Sequence, residues 1–368
     1  MKDNSEASIP EDSVPRSGQD QSDVFRGVSA SDAPSKGSEK GISTRSVPAF
    51  VAGEELADMA DHDDRIVVLT ADLASANRLA DFGKRHPERF FNMGIAEKNM
   101  ITAAAGLAST GLVPFVGTFA SFAALLGYEQ VRTDCAYPRM PVRVLGHHSG
   151  MSLGYYGSSH HALEDLAAMR AVADLTVVCA ADGNQLRAIL RASLDVEGAM
   201  YVRLGRGRDP QVYESVPSDF EFGRSVRLVE GTDVTIIATG SEVHPSLGAA
   251  SLLASRGLSA CVIDMHTIKP LDVEAIVTAA NQTSAIVTVE EHSTIGGLGG
   301  AVAEVLADHR IAIPFLRHGV QDEYVLIGPP AGLYAHYRLD AEGIAGVVEM
   351  LCESAPPSRK HNQVSVNR

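Results

Sequence analysis

The sequence predicts an α/β protein of two doubly wound domains, the first with a parallel sheet and the second smaller. Three observations carry this. Short apolar runs at residues 66–70, 113–116, 142–145, 176–179 and 200–204 alternate with longer segments rich in Ala and Leu. Strands that are apolar on both faces belong in a parallel sheet covered by helices on both sides. A polar stretch at 209–230, containing Pro210 and Pro217, interrupts the alternation once, after which it resumes. A chain of 368 residues is long enough for two full cores.

In chain order, residues 1–42 are rich in Ser, Asp, Gly, Pro and Lys and lack apolar periodicity, which predicts a disordered tail. The first domain is expected over 43–208 and a linker over 209–230. A second series of strands at 234–238, 259–264 and 285–290, with helices after Ser241, after Asp272 and from about Gly299, marks the second domain at 231–353. A polar tail, 354–368, closes the chain. The nearly uncharged stretch 101–128 has the length of a membrane span. Gly106, Gly111, Pro114 and Gly117 break it, and a helix, a turn, a buried strand and a second helix are expected instead.

The formal net charge of -15 disfavours attraction to nucleic acid or to an anionic membrane, so neither is an expected partner. The four cysteines show no CxxC spacing and the N-terminus is polar, which points to the cytoplasm and reduced thiols. With 5% aromatic residues and no Trp, the cores must be aliphatic.

Several residues invite chemistry. Glu97 stands near the start of an Ala-rich, buried-looking helix, where a carboxylate is costly unless paired or protonated; an N-terminal Glu facing the helix dipole is the alternative. Phe119 and Phe122 are spaced to share a helical face, as core packing or as the wall of a site. Asp72 follows a strand and suits a helix cap or a ligand contact. His147, His148, His160 and His161 are adjacent pairs rather than metal-spaced ligands, so no metal site is expected. Arg203, Arg206 and Arg208 stand at the end of a strand, where α/β folds place ligands; solvated linker charges are the alternative. Gly296-Gly297-Leu298-Gly299-Gly300 evokes a dinucleotide loop but has Val302 where Gly or Ala is needed.

The segments Gly94-Ile-Ala-Glu97-Lys-Asn-Met, Thr118-Phe119-Ala-Ser-Phe122, Gly154-Tyr-Tyr-Gly157-Ser-Ser-His160-His, Thr239-Gly240-Ser241-Glu242, Lys269-Pro270-Leu271-Asp272 and Glu291-His292-Ser293-Thr294 stand in order over about 45–350. Together they resemble the C-terminal half of transketolases, a family of thiamine-diphosphate enzymes. The resemblance implies a pyrimidine-binding domain at 43–208 and a transketolase C-terminal domain at 231–353. It assigns Glu97 to the pyrimidine ring nitrogen of the cofactor, a role helped by a carboxyl able to share a proton in a dry pocket. Phe119, Phe122 and Leu125 become the wall against which that ring stacks, and Asp72 a carboxylate near the cofactor. His148, His160 and Tyr156 become substrate-channel residues, with His160 relaying protons, and Arg206 grips the substrate phosphate, with Arg45 as a second phosphate ligand. Two departures bear on the sugar: Tyr155 and Tyr156 replace a Glu-Asp pair whose Asp reads a hydroxyl, and Ala76 replaces a phosphate-contacting Ser.

The family holds its diphosphate through Mg2+ using a Gly-Asp-Gly segment and a later Asn, because a hard cation takes oxygen ligands. The nearest match, Ala181-Asp182-Gly183-Asn184, lacks the first Gly and lies in the wrong domain. The resemblance therefore implies a separate N-terminal subunit that carries diphosphate and Mg2+, an α2β2 assembly with a second copy of this chain, and transfer of a two-carbon ketol unit between sugar phosphates. The β subunit of a 2-oxoacid dehydrogenase, a deoxyxylulose-phosphate synthase and a non-catalytic regulatory homologue remain the alternatives.

Overall fold

The computed structural model describes residues 48–206 and 210–354; the tail at 1–42, Arg45, Arg208 and residues 355–368 lie outside the described residues. The first domain opens with α1 (Pro48–Ala60), β1 (Ile66–Thr70), α2 (Ala80–Arg85), β2 (Phe90–Asn92), α3 (Glu97–Ala108) and β3 (Val113–Phe119). Two π-helical stretches, Phe122–Leu126 and Val131–Ala136, flank α4 (Tyr128–Gln130). Then come β4 (Arg143–His147), α5 (Asp165–Ala171), β5 (Thr176–Cys179), α6 (Gly183–Ala192) and β6 (Met200–Arg203). Strands β1, β3, β4 and β6 are buried along their whole length, as a sheet with both faces covered demands. The stretch 101–128 is the expected helix, turn, buried strand and helix. Among the described residues no helix is long and apolar enough to cross a membrane.

The second domain contains β7 (Val226–Val229), β8 (Val234–Ala238), α7 (Val243–Ser255), β9 (Ala260–Asp264), β10 (Thr267–Lys269), α8 (Val273–Gln282), β11 (Ala285–Ser293), α9 (Leu298–Asp308), β12 (Phe315–Val320), α10 (Pro330–His336) and α11 (Ala341–Ser354). Its sheet has the order β12-β11-β8-β9-β7, and only β7 runs antiparallel to its neighbour. Part of the expected linker is thus strand: residues 226–229, Val-Arg-Leu-Val, form an edge in which no residue is fully buried and Arg227 interrupts the apolar run.

The first sheet has the order β10-β5-β6-β4-β3-β1-β2. Its outer strand β10 comes from the second half of the sequence and pairs antiparallel with β5, so the halves share a sheet as well as an interface. The residues before β10 strengthen this join. Asp264 accepts hydrogen bonds from Gln185 Nε2 (2.7 Å) on α6 and from the Tyr213 hydroxyl (2.6 Å). Asp182 Oδ2 accepts from the backbone N–H groups of Val212 and Tyr213, pinning the connecting segment.

Burial pushes the Asp264 carboxyl up to about 7, against the two hydrogen bonds that favour its charged form. A folded-state pKa above the unfolded value of 3.8 means the native protein binds the extra proton between those limits. Stability from this group is full below about pH 3.8 and is lost as pH rises through 7. Asp264→Asn is therefore expected to flatten the decline in stability over this window, as read by urea midpoints at pH 5 and pH 8. An unchanged slope would show that Asp264 does not carry it.

Candidate active site

Five neighbouring parallel strands deliver the residues of interest at one edge. Parallel strands present their C-terminal ends together, the place where such sheets bind ligands. Asp72 follows β1, Glu97 begins the helix after β2, Phe119 ends β3, His148 follows β4 and Arg206 follows β6. The order β6-β4-β3-β1-β2 makes these ends neighbours in space.

Glu97 is the first residue of α3 and is 7% exposed. The turn before it is tied down by Met93 N–H to Thr70 O (2.9 Å), Gly94 N–H to Asn92 Oδ1 (3.1 Å) and Ala96 N–H to Gly94 O (2.8 Å). No hydrogen bond or ion pair from the described residues reaches the Glu97 carboxylate. A buried acid without a partner is costly, and a ligand able to hydrogen-bond it would remove that cost. Helix α3 packs on β3 and on the π-helical stretch that starts at Phe122, so Glu97 stands on the element next to the aromatic residues.

Those residues form one cluster. The Phe119 ring lies 5.6 Å from Phe122, 4.8 Å from His148 and 5.8 Å from His160. His160 is 5.2 Å from Phe122 and 5.1 Å from Tyr156. The expectation that Phe119 and Phe122 share a helical face is corrected: Phe119 ends a strand and Phe122 begins a π-helical turn, and the two helical residues between them bring the rings to 5.6 Å. Leu125 lies further along that turn and is 52% exposed. Asp72 is exposed and bound to Asn92, receiving Asn92 Nδ2 at 3.2 Å while its own N–H donates to Asn92 Oδ1 at 3.0 Å.

The histidines divide by environment. His147 is fully buried in β4, and burial holds it well below the ordinary imidazole range. His161 Nε2 lies 3.2 Å from the Gly154 carbonyl, within a strap of residues 149–162 that is closed by the Gly150–Ala162 backbone bridge and bears Tyr156. His148 is lowered to about 3 by burial and then by Arg206, so it is neutral at physiological pH and has an N–H to donate and a nitrogen to accept with. His160 Nδ1 pairs with Ser159 Oγ at 2.8 Å. Phe119, His148, Tyr156 and Arg206 line a cavity of about 150 Å3, together with Ser75, Ala76, Arg78 and Leu153. Sequence reasoning missed Ser75, Arg78 and Leu153; the available signal was that 75–78 lies in the loop between β1 and the next helix.

Arg203, three residues from Arg206, plays a different part. It is buried, pairs with Asp165 Oδ2 at 2.8 Å and donates to the Ala162 and Glu291 carbonyls. Burial alone would lower its pKa, but the adjoining Asp165 carboxylate holds it above the ordinary arginine range. Gly150, at φ 62, passes so close to Glu291 that a Cβ there would meet its carboxyl carbon at 2.0 Å. Glu291 in turn accepts from Met151 N–H (2.9 Å) and Ser241 Oγ (2.8 Å), so the second domain braces the strap from below.

The glycine loop before α9 holds its own carboxylate. Glu290 accepts from the N–H groups of Leu298 (2.7 Å) and Gly299 (2.8 Å), and a Cβ at Gly297 would lie 2.0 Å from Glu290 Oε2. The helix N-terminus that a dinucleotide would need is already occupied. Among the described residues no group of three or more His, Cys, Asp or Glu is placed to hold a metal ion.

Two doubly wound units sharing a sheet edge define a two-domain α/β protein, with a carboxylate that is buried and unpartnered among the described residues and an aromatic and imidazole cluster both at its strand ends. The chain belongs to the transketolase family: residues 48–210 match the transketolase pyrimidine-binding domain and residues 223–344 the transketolase C-terminal domain. It is 40% identical over 291 residues to one of the subunits of the apulose-4-phosphate transketolase of Phocaeicola vulgatus, covering 79% of this chain and 93% of that protein. A solved structure described as a split gene transketolase, inactive beta4 tetramer, is 42% identical, with a TM-score of 0.76 over 86% of this chain and 100% of that one. It is also 37% identical to 1-deoxy-D-xylulose-5-phosphate synthase of Syntrophotalea carbinolica, of which it covers 47%.

Proposed function

We propose that this chain is the C-terminal subunit of a two-chain, thiamine-diphosphate-dependent transketolase. It moves a two-carbon ketol unit between sugar phosphates together with an N-terminal subunit that holds the diphosphate and Mg2+. The observation that carries this is Glu97: buried, without a partner among the described residues, and at the start of the helix that packs on the segments bearing Phe119 and Phe122, at the ligand-binding edge of a transketolase-family fold. These residues fit the aminopyrimidine end of the cofactor, which needs a proton-sharing acid and an apolar wall. When bound, the cofactor supplies the electron sink for breaking and making the carbon–carbon bond.

In this reading Glu97 shares a proton with the pyrimidine ring, and Phe119 and Phe122 exclude water and orient it. Neutral His148 hydrogen-bonds sugar oxygens, His160 moves a proton to or from the substrate, Tyr156 closes the channel, and Arg206 binds the sugar's phosphate. Leu125 and Asp72 are exposed, as are the apolar side chains of Phe91, Ile95 and Leu126, which suits burial against the second subunit. The assembly in this reading is α2β2, two copies of this chain with two of the partner, in the cytoplasm.

The test is reconstitution. Mixed with its partner, thiamine diphosphate and Mg2+, the chain is expected to transfer ketol units from a ketose phosphate to an aldose phosphate and to sediment as a heterotetramer, while alone it is inactive. Decarboxylation of pyruvate or reductive acylation of a lipoyl group in place of ketol transfer would overturn the assignment and favour the synthase or dehydrogenase alternatives.

A further inference from the structure

The strap of residues 149–162 belongs to the first domain and bears Tyr156 and His160, yet much of what holds it comes from the second. Its base is closed by Gly150 N–H to Ala162 O at 3.0 Å and Ala162 N–H to Gly150 O at 2.8 Å. Inside it, Gly154 N–H donates to Met151 O (2.9 Å), Ser152 Oγ to Ser149 O (2.7 Å) and His160 N–H to Gly157 O (2.9 Å). A segment bonded to itself in this way keeps its own shape, so the place of His160 is decided where the strap meets its neighbours.

The polar meeting point is Glu291, buried in β11 of the second domain. One oxygen of its carboxyl group accepts from Met151 N–H (2.9 Å) and from the Tyr334 hydroxyl on α10, the other from Ser241 Oγ (2.8 Å). Both oxygens are thus engaged, as a buried acid requires. Gly150 leaves the room that the carboxyl carbon fills, and Arg203 Nη2 donates to the Glu291 and Ala162 carbonyls together. Behind the strap, a Cβ at Gly154 would lie 2.5 Å from the Gly328 carbonyl oxygen, and one at Gly157 would lie 2.8 Å from Ile327 Cδ1. In front, the His160 ring meets Phe119 at 5.8 Å and Phe122 at 5.2 Å. Apolar contact is non-directional and tolerates sliding, whereas a hydrogen bond to a fixed carboxyl group sets distance and angle.

We infer that Glu291 is a positioning residue: through Met151 N–H it fixes the strap, and with it the placement of His160 against Phe119 and Phe122. The second domain thereby acts on the chemistry of the first. The consequence for turnover rests on the ketol-transfer reading; the placement of His160 does not.

Two measurements test it. In the reconstituted enzyme, Glu291→Ala should lower kcat about tenfold or more, within the loss that an ångström of misplacement brings. Glu291→Gln keeps an oxygen for Met151 N–H and an NH2 group that Ser241 Oγ can accept, so it should restore most of that loss. In a His160→Gln background the same Glu291→Ala change should cost less than about twofold, because its effect passes through His160. The second measurement needs no turnover. The carbon-bound ring protons of His160 in the full chain, assigned by their loss in His160→Gln, feel the Phe119, Phe122 and Tyr156 rings. Their NMR signals should move in Glu291→Ala and return in Glu291→Gln. Glu291→Asp, which draws the carboxyl group back by one methylene and keeps both acceptor oxygens, should move them too, and serves if the Ala variant does not fold. Unmoved His160 signals in the folded variants, or equal kcat losses in both backgrounds, would overturn the inference. Signals that move in a protein whose complex shows no ketol transfer would remove the functional reading and uphold the placement of His160 by Glu291.

Discussion

Glu97→Gln in the reconstituted enzyme is expected to lower kcat by at least about 10²-fold while leaving the fold intact. The magnitude is that of a proton-transfer group removed from a site where nothing substitutes for it. Gln has the same shape, so packing at the start of α3 is preserved, and it relieves the burial of a carboxylate that has no partner among the described residues. The expected signature is therefore asymmetric: activity collapses and the urea midpoint stays level or rises. A structural Glu would show the reverse, lost stability with activity retained by the fraction still folded. Steady-state kinetics at saturating cofactor and partner, with denaturation of the same samples, separates the two outcomes.

How much of this was legible in the sequence follows from burial. The runs at 66–70, 176–179 and 234–238 coincide with β1, β5 and β8 because strands covered on both faces are written in apolar residues, with a single Thr in each. Strands β2, β7, β10 and β12 were not anticipated; each is an outer strand of its sheet, where one side is free and polar residues interrupt the pattern. The join through β10 was hidden for a further reason: pairing across about ninety residues leaves no local trace in a three-residue strand.

The site was half legible. Glu97, Phe119, Phe122, His148, His160 and Tyr156 stand in segments whose wording resembles a family, and all but Glu97 meet ring to ring in space. Arg78 escaped because a single Arg in a polar turn reads as solvated charge. Only the strand order, which sets β1 beside β3 and beyond it β4 and β6, brings it to the same cavity as Arg206.

Arg203 and Arg206 carry the second large prediction, because residues of one type in one short segment are expected to behave oppositely. Arg203→Met should destabilise the full chain by about 3–5 kcal/mol, the cost of leaving a buried charge partner uncompensated. Its removal strands Asp165, whose Oδ2 would keep only the Tyr201 hydroxyl at 2.8 Å. It also releases the carbonyls of Ala162, in the strap beside the cavity, and of Glu291, in the second domain. Arg206 is exposed, so Arg206→Met should move stability by no more than about 0.5 kcal/mol while weakening use of a phosphorylated sugar. Pairing Arg203→Met with Asp165→Asn should recover part of the loss, since no charge then remains buried alone. Urea unfolding of the four proteins gives the comparison. If Arg203→Met and Arg206→Met unfold at the same midpoint, the buried ion pair does not hold the strap to the two domains, and the cavity it frames needs another support.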